Sequence, residues 1–287
     1  MTGQLGRWAT KALRALRMLG THPDLLATKI AARRRARRRV PTGIVDGRVG
    51  DLAFRFEMDL DVRVGEMYRG THSMEVVHAL RHLLDPGDVF VDVGANIGYL
   101  TAVAGDRVGP SGRVVAFEPV PAYAARVQRL AEDNPRYRVD VVTKAVGDRE
   151  GTASIDVSAI GNIGWNTMVP DLMPQSHRAQ TFDVEMVRLD RALAELEVDK
   201  VTLIKIDVEG LEMSVLESIE GLWERGERPA IICELNPYAF ELAGVSRGAL
   251  EQLATRWSYR AVELLDMRTE VDLSSMSLDH GDVLLRA

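Results

Sequence analysis

The stretch from residue 88 to residue 98 constrains the fold of this chain more than any other. Its sequence, DVFVDVGANIG, places apolar residues on both sides of Asp92 and follows them at once with a bend that contains Gly94 and Gly98. A helix-like segment begins directly afterwards, at Tyr99. A buried parallel strand, a tight turn and a helix N-terminus in this order are typical of the ligand-binding end of an open α/β sheet.

A second acidic residue extends this pattern. Glu118 ends the next apolar run, which covers residues 114–117. A carboxylate at the end of the second strand can accept hydrogen bonds from both hydroxyls of a ribose. The two segments together therefore predict a cofactor that contains adenosine.

The turn sequence narrows the choice of cofactor. A dinucleotide site needs the pattern Gly-x-Gly-x-x-Gly, and the turn at 94–98 lacks the middle glycine. No Gly-Lys-Ser/Thr follows the strand, which excludes a P-loop. An acid inside the first strand, a Gly-x-x-x-Gly turn and an acid ending the second strand favour S-adenosylmethionine. Two alternatives stay open: an ordinary strand-turn-helix connection with a buried capping Asp92, and a nicotinamide-dependent oxidoreductase, which only the shared fold would favour.

Three motifs resemble those of the FkbM family of S-adenosylmethionine-dependent methyltransferases. They are DVGANIG at 92–98, FEP at 117–119 and KIDVEG at 205–210. The third motif is the specific one, because the first two occur across many methyltransferases. The resemblance covers approximately residues 62–240. It implies a class I methyltransferase fold and, usually, transfer to a hydroxyl of a sugar, a polyketide or another natural product.

The pattern of apolar runs predicts an α/β fold. Strands are predicted at 89–93, 114–118, 139–143, 201–207, 230–235, 258–264 and 281–286, and helices at 73–84, 98–106, 121–132, 211–221 and 246–256. Strands that alternate with helices predict a doubly wound, Rossmann-like, mostly parallel seven-stranded sheet. The short connection between the last two strands permits an antiparallel last strand, as in class I methyltransferases.

Three further segments surround or interrupt this core. Residues 1–40 are predicted to form a basic helical arm, and residues 41–84 a β-ribbon over 44–64 followed by a lead-in helix. The methyltransferase domain would then span 85–287. Inside it, residues 147–190 form an insertion in which 152–157 and 182–189 alternate like a paired β-ribbon. The enclosed loop is a candidate substrate lid, and its notable residues are Asn162, Trp165, Asn166 and His177.

The charge of the chain is unevenly distributed. Residues 1–40 contain eleven Lys and Arg and one acid, whereas the whole chain has a net charge of −6. An acidic body argues against a nucleic-acid substrate, because binding to phosphates depends on Lys and Arg over the working surface. The arm, with its arginine cluster at 33–39, can contact an anionic membrane surface or a second subunit. We favour the simpler interpretation of a solvated or packed helical arm.

The residues expected to bind the cofactor lie at the carboxyl ends of the strands, where open α/β sheets bind ligands. Asp92 and the turn would hold the methionine end of S-adenosylmethionine, and Glu118 the ribose. The expected set is Asp92, Gly94, Asn96, Gly98, Glu118, Pro119 and Ala145.

The candidate catalytic residues end the fourth core strand, at 205–210. A sulfonium is already an activated leaving group, so the site must align the acceptor oxygen and remove its proton. Asp207 and Glu209 are the predicted carboxylates for this work, as base or as metal ligands, and Lys205 would orient Asp207 or tune its charge. Alternatively, both acids only cap the following helix. Glu234 is a weaker third carboxylate; three acids can bind Mg²⁺, but no spacing requires a metal.

Other candidate residues favour structural roles. His78 and His82 lie four residues apart, but no His-Glu-x-x-His pattern accompanies them, so a partly packed helix face is the favoured interpretation. His177 is a weak candidate for the base. Residues 236–238, Asn-Pro-Tyr, resemble the Asn-Pro-Pro-Tyr signature of amino-group methyltransferases, but they follow the fifth strand and lack the second proline.

The remaining features concern location and function. The single cysteine, Cys233, lies in an apolar run and is predicted to be a buried hydrophobic residue in a reducing cytoplasm. No apolar run is long enough to cross a membrane, and the first residues lack the apolar centre of a secretory signal. We expect a cytoplasmic O-methyltransferase that acts on a small-molecule hydroxyl. The alternatives are N-methylation of a small molecule or peptide, and a non-catalytic module that binds S-adenosylmethionine or a membrane.

Overall fold

The structure is a computed structural model that describes residues 42–49, 52–58, 62–159, 164–246, 248–273 and 281–287. The predicted basic arm, residues 1–40, and Asn162 of the predicted lid lie outside these ranges. Among the described residues, no helix has the length and apolar character needed to span a bilayer.

A two-stranded ribbon and two helices precede the core. Strand β1 (Gly43–Val49) pairs antiparallel with β2 (Leu52–Met58), and helices α1 (Val62–Arg69) and α2 (Met74–Leu83) follow. Within residues 41–84 the sequence predicted a ribbon over 44–64 and a helix only from residue 73, so α1 was missed. The short alternation of valines with polar residues at its start is compatible with both structures, and burial of Val64 and Met67 at helical spacing favours the helix.

The core alternates strands and helices. Its elements are β3 (Val89–Val93), α3 (Tyr99–Val108), β4 (Arg113–Phe117), α4 (Pro121–Asp133), β5 (Val139–Val142), β6 (Ala145–Val146), β7 (Gly151–Ser158), β8 (Arg178–Val187), α5 (Leu189–Glu195), β9 (Leu203–Ile206), α6 (Glu212–Glu217), α7 (Glu220–Glu224), β10 (Ala230–Leu235), α8 (Pro237–Leu242), α9 (Ala249–Arg256), β11 (Arg260–Glu263) and β12 (Gly281–Arg286). The predicted helix 211–221 is two helices, α6 and α7.

Seven strands form the central sheet in the order β11-β12-β10-β9-β3-β4-β5. Strand β12 runs antiparallel to both of its neighbours, and β10, β9, β3, β4 and β5 are mutually parallel. The predicted doubly wound seven-stranded sheet with an antiparallel last strand is confirmed. The chain moves outward from β3 to β5 on one side and returns to β9 on the other, so strand order reverses between β3 and β9. Ligands of open α/β sheets bind in the crevice at this point.

The insertion forms a second, smaller sheet. Strand β8 pairs antiparallel with β7 and parallel with β6, so pairing begins at Ala145, two residues before the predicted start of the insertion. The second ribbon strand ends at Val187, and Leu189, predicted as its last residue, begins helix α5 instead. The predicted ribbon therefore exists with shifted ends.

The face of the sheet covered by α1, α2 and α3 carries a row of polar residues. Phe90, Leu203, Ile232 and Leu284 pack on this face with residues of those helices. Because side chains alternate along a strand, the residues two positions further toward the crevice share this face. They are Asp92, Lys205, Glu234 and Asp282, which we call the polar strip. In the strand register, Asp92 lies opposite Lys205, and Glu234 opposite Asp282.

Candidate functional site

A cavity of about 270 Å³ opens at the crevice between β3 and β9. This volume is close to the lower end of the range for small-molecule sites, about 300 to 1,000 Å³. Its wall is assembled from the segment that carries α1 and α2, from the ends of the core strands and from the insertion. Three segments that are distant in sequence therefore meet around one space.

The turn after β3 is tied to its neighbours through its backbone. The N–H groups of Gly94 and Ala95 both donate to the carbonyl oxygen of Phe117, at 3.0 Å each. Gly94 has a φ of +85°, and a Cβ at this position would lie 1.9 Å from the carbonyl oxygen of Asp207. Only glycine fits here, because the turn touches the backbone that follows β9.

Glu118 holds two loops together at the edge of the cavity. Its Oε2 accepts a hydrogen bond from the N–H of Asn96 at 2.8 Å, and its Oε1 accepts one from the N–H of Val120 at 2.9 Å. The residue is only 4% exposed, and burial raises its pKa to about 8. Each oxygen keeps further acceptor capacity, so the same carboxylate can also receive ribose hydroxyls.

Asp92 is buried within the polar strip and still reaches the cavity. Its Oδ2 accepts a hydrogen bond from the hydroxyl of Thr101, the first turn of α3, at 2.6 Å. Burial raises its pKa to about 6, while that hydrogen bond and the charge of Lys205 oppose the rise. Asp92 is therefore held in a fixed position at the base of the turn.

Lys205 supplies a buried positive charge beneath the cavity. The side chain is 2% exposed, and its Nζ lies 3.0 Å from Asp207 Oδ2 and 3.6 Å from Asp282 Oδ1. Burial alone would lower the pKa of Lys205, but the carboxylates around it raise that pKa above its usual value. Burial alone would likewise raise the pKa of Asp207, but Lys205 and a hydrogen bond from Glu234 lower it to about 2. Asp207 is thus ionised, and Lys205 remains charged.

Asp207, Glu209 and Glu234 form a carboxylate cluster. One oxygen of each lies within 4.8 Å of the others. The charge of Asp207 raises the pKa of Glu234, which donates its proton toward Asp207. Burial, followed by the charges of Asp207 and Glu212, raises the pKa of Glu209 to about 8. Hard oxygen ligands suit Mg²⁺, but Lys205 and the bound protons already balance the charge. The expectation that no metal is required stays a prediction.

The loop before α6 is held by a residue that the sequence analysis overlooked. Glu212 is fully buried, and its carboxylate accepts hydrogen bonds from the N–H groups of Val208 and Gly210 at 3.1 to 3.2 Å. No capping hydrogen bond from Asp207 or Glu209 to α6 is present among the described residues. The structure therefore gives neither acid the helix-capping role that the alternative interpretation assigned to them, and both acids line the cavity.

Glu212 should make the stability of the protein depend on pH. Burial raises its pKa from 4.5 to about 7. A group whose folded-state pKa is raised stabilises the fold below its unfolded pKa, and this contribution is lost as pH rises through the folded value. We expect Glu212→Gln, which keeps one amide oxygen for the loop, to flatten the fall in urea-unfolding free energy between pH 4.5 and 7. The exposed Glu132 gives the control variant Glu132→Gln, and an unchanged slope in Glu212→Gln would contradict this account.

The insertion reaches the cavity through the segment that follows β7. The hydroxyl of Thr167 donates to the carbonyl oxygen of Glu209 at 2.9 Å and accepts from the N–H of Val169 at 3.0 Å. The insertion residues in the cavity wall are Ile155, Gly164, Asn166 and Met168. Trp165 and His177 pack against each other, with ring centroids 5.4 Å apart, and neither is part of the wall.

The structure brings together most of the predicted site residues. Those in the cavity wall are Asp92, Gly94, Asn96, Glu118, Pro119, Ala145, Lys205, Asp207 and Glu209. Gly98 is the exception: it precedes α3 with a φ of +86°, and a Cβ there would meet Val127 rather than the cavity. In the structure Gly98 forms the turn before α3, and its expected role in cofactor binding stays a prediction.

Several wall residues were missed. Arg63, Met67 and His72 come from the segment of α1 and α2, which carries no recognisable motif, and Asp282 comes from the last strand. For Asp282, the available signal was an acid at the crevice end of an otherwise apolar strand. For His72, the sequence offers no signal, because the packing of α1 against the core places it there.

The residues for which the sequence left both a functional and a structural interpretation open make structural contacts. The side chain of Asn236 accepts from the N–H of Ala239 at 3.1 Å and caps α8, outside the cavity wall. The Nδ1–H of His82 donates to the carbonyl oxygen of His78, 2.8 Å away, and neither histidine lines the cavity. Cys233 is free and buried, as predicted.

Comparisons with known proteins agree with this architecture. The family model described as "Methyltransferase FkbM domain" matches residues 92–265. The chain is 31% identical over 172 residues to "31-O-demethyl-FK506 methyltransferase FkbM" of Streptomyces tacrolimicus, covering 51% of this chain and 66% of that protein. It is 29% identical over 153 residues to "Methyltransferase 1" of Beauveria bassiana, covering 47% and 60%. It is 30% identical over 162 residues to "Methyltransferase sdnD" of Sordaria araneosa, covering 47% and 61%. The aligned part thus spans less than two thirds of each relative.

Proposed function

The chain belongs to the FkbM methyltransferase family, and we propose that it transfers a methyl group from S-adenosylmethionine to a hydroxyl oxygen of a small molecule. The observation that carries this proposal is the placement of Asp92 and Glu118, two buried acids on adjacent strands, in the wall of one cavity. We place the acceptor among sugars, glycans, polyketides and other natural products.

The residues of the cavity fit S-adenosylmethionine. When bound, this cofactor supplies an activated methyl group on a positively charged sulfur. Glu118 would accept the ribose hydroxyls, and Asp92 with the Gly94 turn would hold the methionine end. The turn touches the backbone of Asp207, so the ionised Asp207 carboxylate lies close to where a sulfonium is expected. A negative charge at that point favours binding of a cation.

The surroundings of the cavity favour oxygen as the acceptor. The amide of Asn236, which would serve an amino-group methyltransferase, is committed to capping α8. The wall instead contains groups that can hold or remove a hydroxyl proton, among them Glu209 and His72. The relative from Streptomyces tacrolimicus is named for 31-O-demethyl-FK506, which supports an oxygen acceptor for this chain.

The shape of the cavity and the charge of the chain indicate which kind of acceptor it binds. We propose that Asn166 and Met168 of the insertion contact the acceptor, because they close the cavity next to the backbone of Glu209. Outside residues 1–40 the chain is strongly acidic. This charge disfavours nucleic acid as the acceptor, since phosphates would be repelled.

Replacing Glu118 tests the cofactor site. We expect Glu118→Ala to weaken binding of S-adenosylhomocysteine by about 10- to 100-fold, because it removes two hydrogen bonds to the ribose that contribute about 0.5 to 1.5 kcal/mol each. Isothermal titration calorimetry would measure the affinity. Glu118→Gln, which keeps one acceptor oxygen, should lose less, and the exposed Glu132→Ala should bind like the wild type.

Two outcomes would contradict the proposal as a whole. One is a wild-type protein that binds no S-adenosylhomocysteine. The other is binding without any transfer of labelled methyl groups to small molecules of a host-cell extract, which would favour a non-catalytic binding module. Transfer to an amine would retain the enzyme class and overturn the oxygen acceptor.

A further inference from the structure

We infer that His72 is the general base that removes the proton from the acceptor hydroxyl, an inference that rests on the proposed function. His72 lies between α1 and α2, outside the segment matched by the family model. Its side chain shares the cavity wall with Asp207 and Glu209, and it is the one histidine of that wall among the described residues.

The local backbone presents the ring to the cavity. Helix α1 ends in a turn in which the N–H groups of Gly70 and Thr71 donate to the carbonyl oxygens of Met67 and Glu66, at 2.9 and 3.0 Å. Ser73 follows with a φ of +44°, an unusual conformation for a residue with a side chain. The chain therefore reverses sharply on both sides of His72. Strained backbone of this kind is enriched at functional sites.

Contacts on two sides fix the orientation of the imidazole. The ring packs edge to face on Tyr99, the first residue of α3, with centroids 5.5 Å apart. Its Nδ1 lies 3.8 Å from Oε2 of Glu66. A carboxylate beside Nδ1 favours the tautomer with the proton on that nitrogen, which leaves Nε2 to accept a proton. At 3.8 Å the Glu66 carboxylate lies on the side of the ring from which an orienting group acts on a general base.

The charges around His72 keep it neutral and able to accept a proton. Burial lowers its pKa and the positive charge of Arg63 on α1 lowers it further, while Glu66 and Asp207 oppose the shift. Tyr99, the residue of α3 that contacts the ring, is neutral in this range because burial raises its pKa. The side chain remains 19% exposed, so a proton taken from the acceptor can pass on to solvent.

Three other titratable groups of the wall, in and directly after β9, are less suited to this role. Asp207, with a pKa of about 2, is a weak base, and the buried Lys205 stays protonated. Glu209 has a pKa of about 8 and is mostly protonated at neutral pH. It is suited to donating a hydrogen bond that holds the acceptor. General bases are most effective when their pKa lies near or just below the working pH, which favours His72.

The reaction step is balanced without a further reactant. The acceptor oxygen forms a bond to the methyl carbon while the bond between that carbon and sulfur breaks, with its electron pair left on sulfur. The hydroxyl proton passes to Nε2 of His72, and the imidazolium then releases it to solvent. Neutral S-adenosylhomocysteine and the methyl ether are the products.

The test compares His72→Gln with His82→Gln, a change at an exposed histidine outside the cavity wall. Transfer of label from S-adenosylmethionine to the methylated fraction of a host-cell extract is followed between about pH 5 and pH 9. As the pH increases, the wild-type rate should rise, and the midpoint of this rise should lie below about pH 6.5, the usual pKa of histidine. His72→Gln should be slower by about 100-fold or more and lack that midpoint. His82→Gln should behave like the wild type.

Calorimetry with S-adenosylhomocysteine distinguishes a failure of the His72 inference from a failure of the proposed function. If the wild type binds it and His72→Gln binds it equally well, a loss of transfer is a loss of chemistry. A midpoint near pH 8 that persists in His72→Gln would assign the base to Glu209 instead, and undiminished transfer would overturn any role for His72. Absence of binding or of transfer in the wild type would overturn the proposed function itself.

A measurement without the acceptor completes the test. Imidazole NMR of the complex with S-adenosylhomocysteine, with His72→Gln used for assignment, gives the pKa of His72. We expect it below the usual value of about 6.5. A pKa above about 7 would leave the ring protonated at neutral pH and would overturn the inference.

Discussion

Gly94→Ala should lower the free energy of unfolding by about 3 kcal/mol and abolish binding of S-adenosylhomocysteine. A left-handed backbone costs a residue with a Cβ about 1 to 2 kcal/mol, and an overpacked contact costs about 1 to 3 kcal/mol more. The Cβ at position 94 would lie 1.9 Å from the carbonyl oxygen of Asp207. That oxygen belongs to backbone and cannot move aside without shifting the end of β9.

Gly226→Ala provides the matched control for this prediction. Gly226 has a φ of +82°, against +85° for Gly94, and no atom lies within 4 Å of its added Cβ. The two substitutions therefore share the backbone cost and differ in the clash. Urea denaturation of both variants should show Gly94→Ala to be the less stable by about 1 to 3 kcal/mol. Equal losses would mean that the contact between the two loops relaxes freely.

Lys205→Met should destabilise the protein by about 3 kcal/mol, the lower end of the usual cost of removing one partner of a buried ion pair, because the carboxylates left behind are 39% and 25% exposed. The side chain is 2% exposed, and its removal leaves Asp207 and Asp282 without their cation. Lys144→Met is a suitable comparison. Lys144 pairs with Glu185 at 2.6 Å, but that pair is solvent-exposed, so its loss should cost at most about 1 kcal/mol.

The stability of Lys205→Met should also change with pH in a defined direction. In the wild type, the pKa of Asp207 is lowered from 3.8 to about 2, so this residue contributes stability above pH 3.8 that is lost as pH falls through 2. Without Lys205, burial raises the pKa of Asp207 instead. The variant should then recover stability as pH falls below neutrality, and the double variant with Asp207→Asn should be less impaired at pH 7 than the sum of the single changes. If the losses of stability in the two single variants simply added in the double variant, measured by thermal or urea unfolding, the ion pair between Lys205 and Asp207 would be contradicted.

The sheet could be predicted because its strands are continuous apolar runs. Residues 230–235 and 281–286 were predicted with the bounds that the structure shows. Helix α1 was missed because it has eight residues and begins with alternating valines. The predicted helix 211–221 divides at Ser218, whose hydroxyl bonds to the carbonyl oxygen of Val215 at 2.6 Å. Such side-chain hydrogen bonds compete with the helix, and a sequence pattern does not reveal them.

The cavity-wall residues at the strand ends could be predicted from the sequence, whereas those before β3 could not. Asp92, Glu118 and the Gly94 turn are adjacent to their strands, so their positions follow from local structure. His72 and Asp207 are 135 positions apart in the chain, and only tertiary packing brings them to one wall. Glu212 was overlooked because the recognised motif ends at Gly210, and its carboxylate turns back onto that motif.

The division of the cavity wall among three segments has a consequence for how such enzymes diversify. In the proposed function, the strand ends of the central sheet would hold the methyl donor, whereas the rest of the wall comes from the segment before β3 and from the β6–β8 insertion. These peripheral pieces can be remodelled without disturbing the central machinery. Chimeras that exchange them between relatives would therefore be expected to change which compound is modified while retaining the same methyl source.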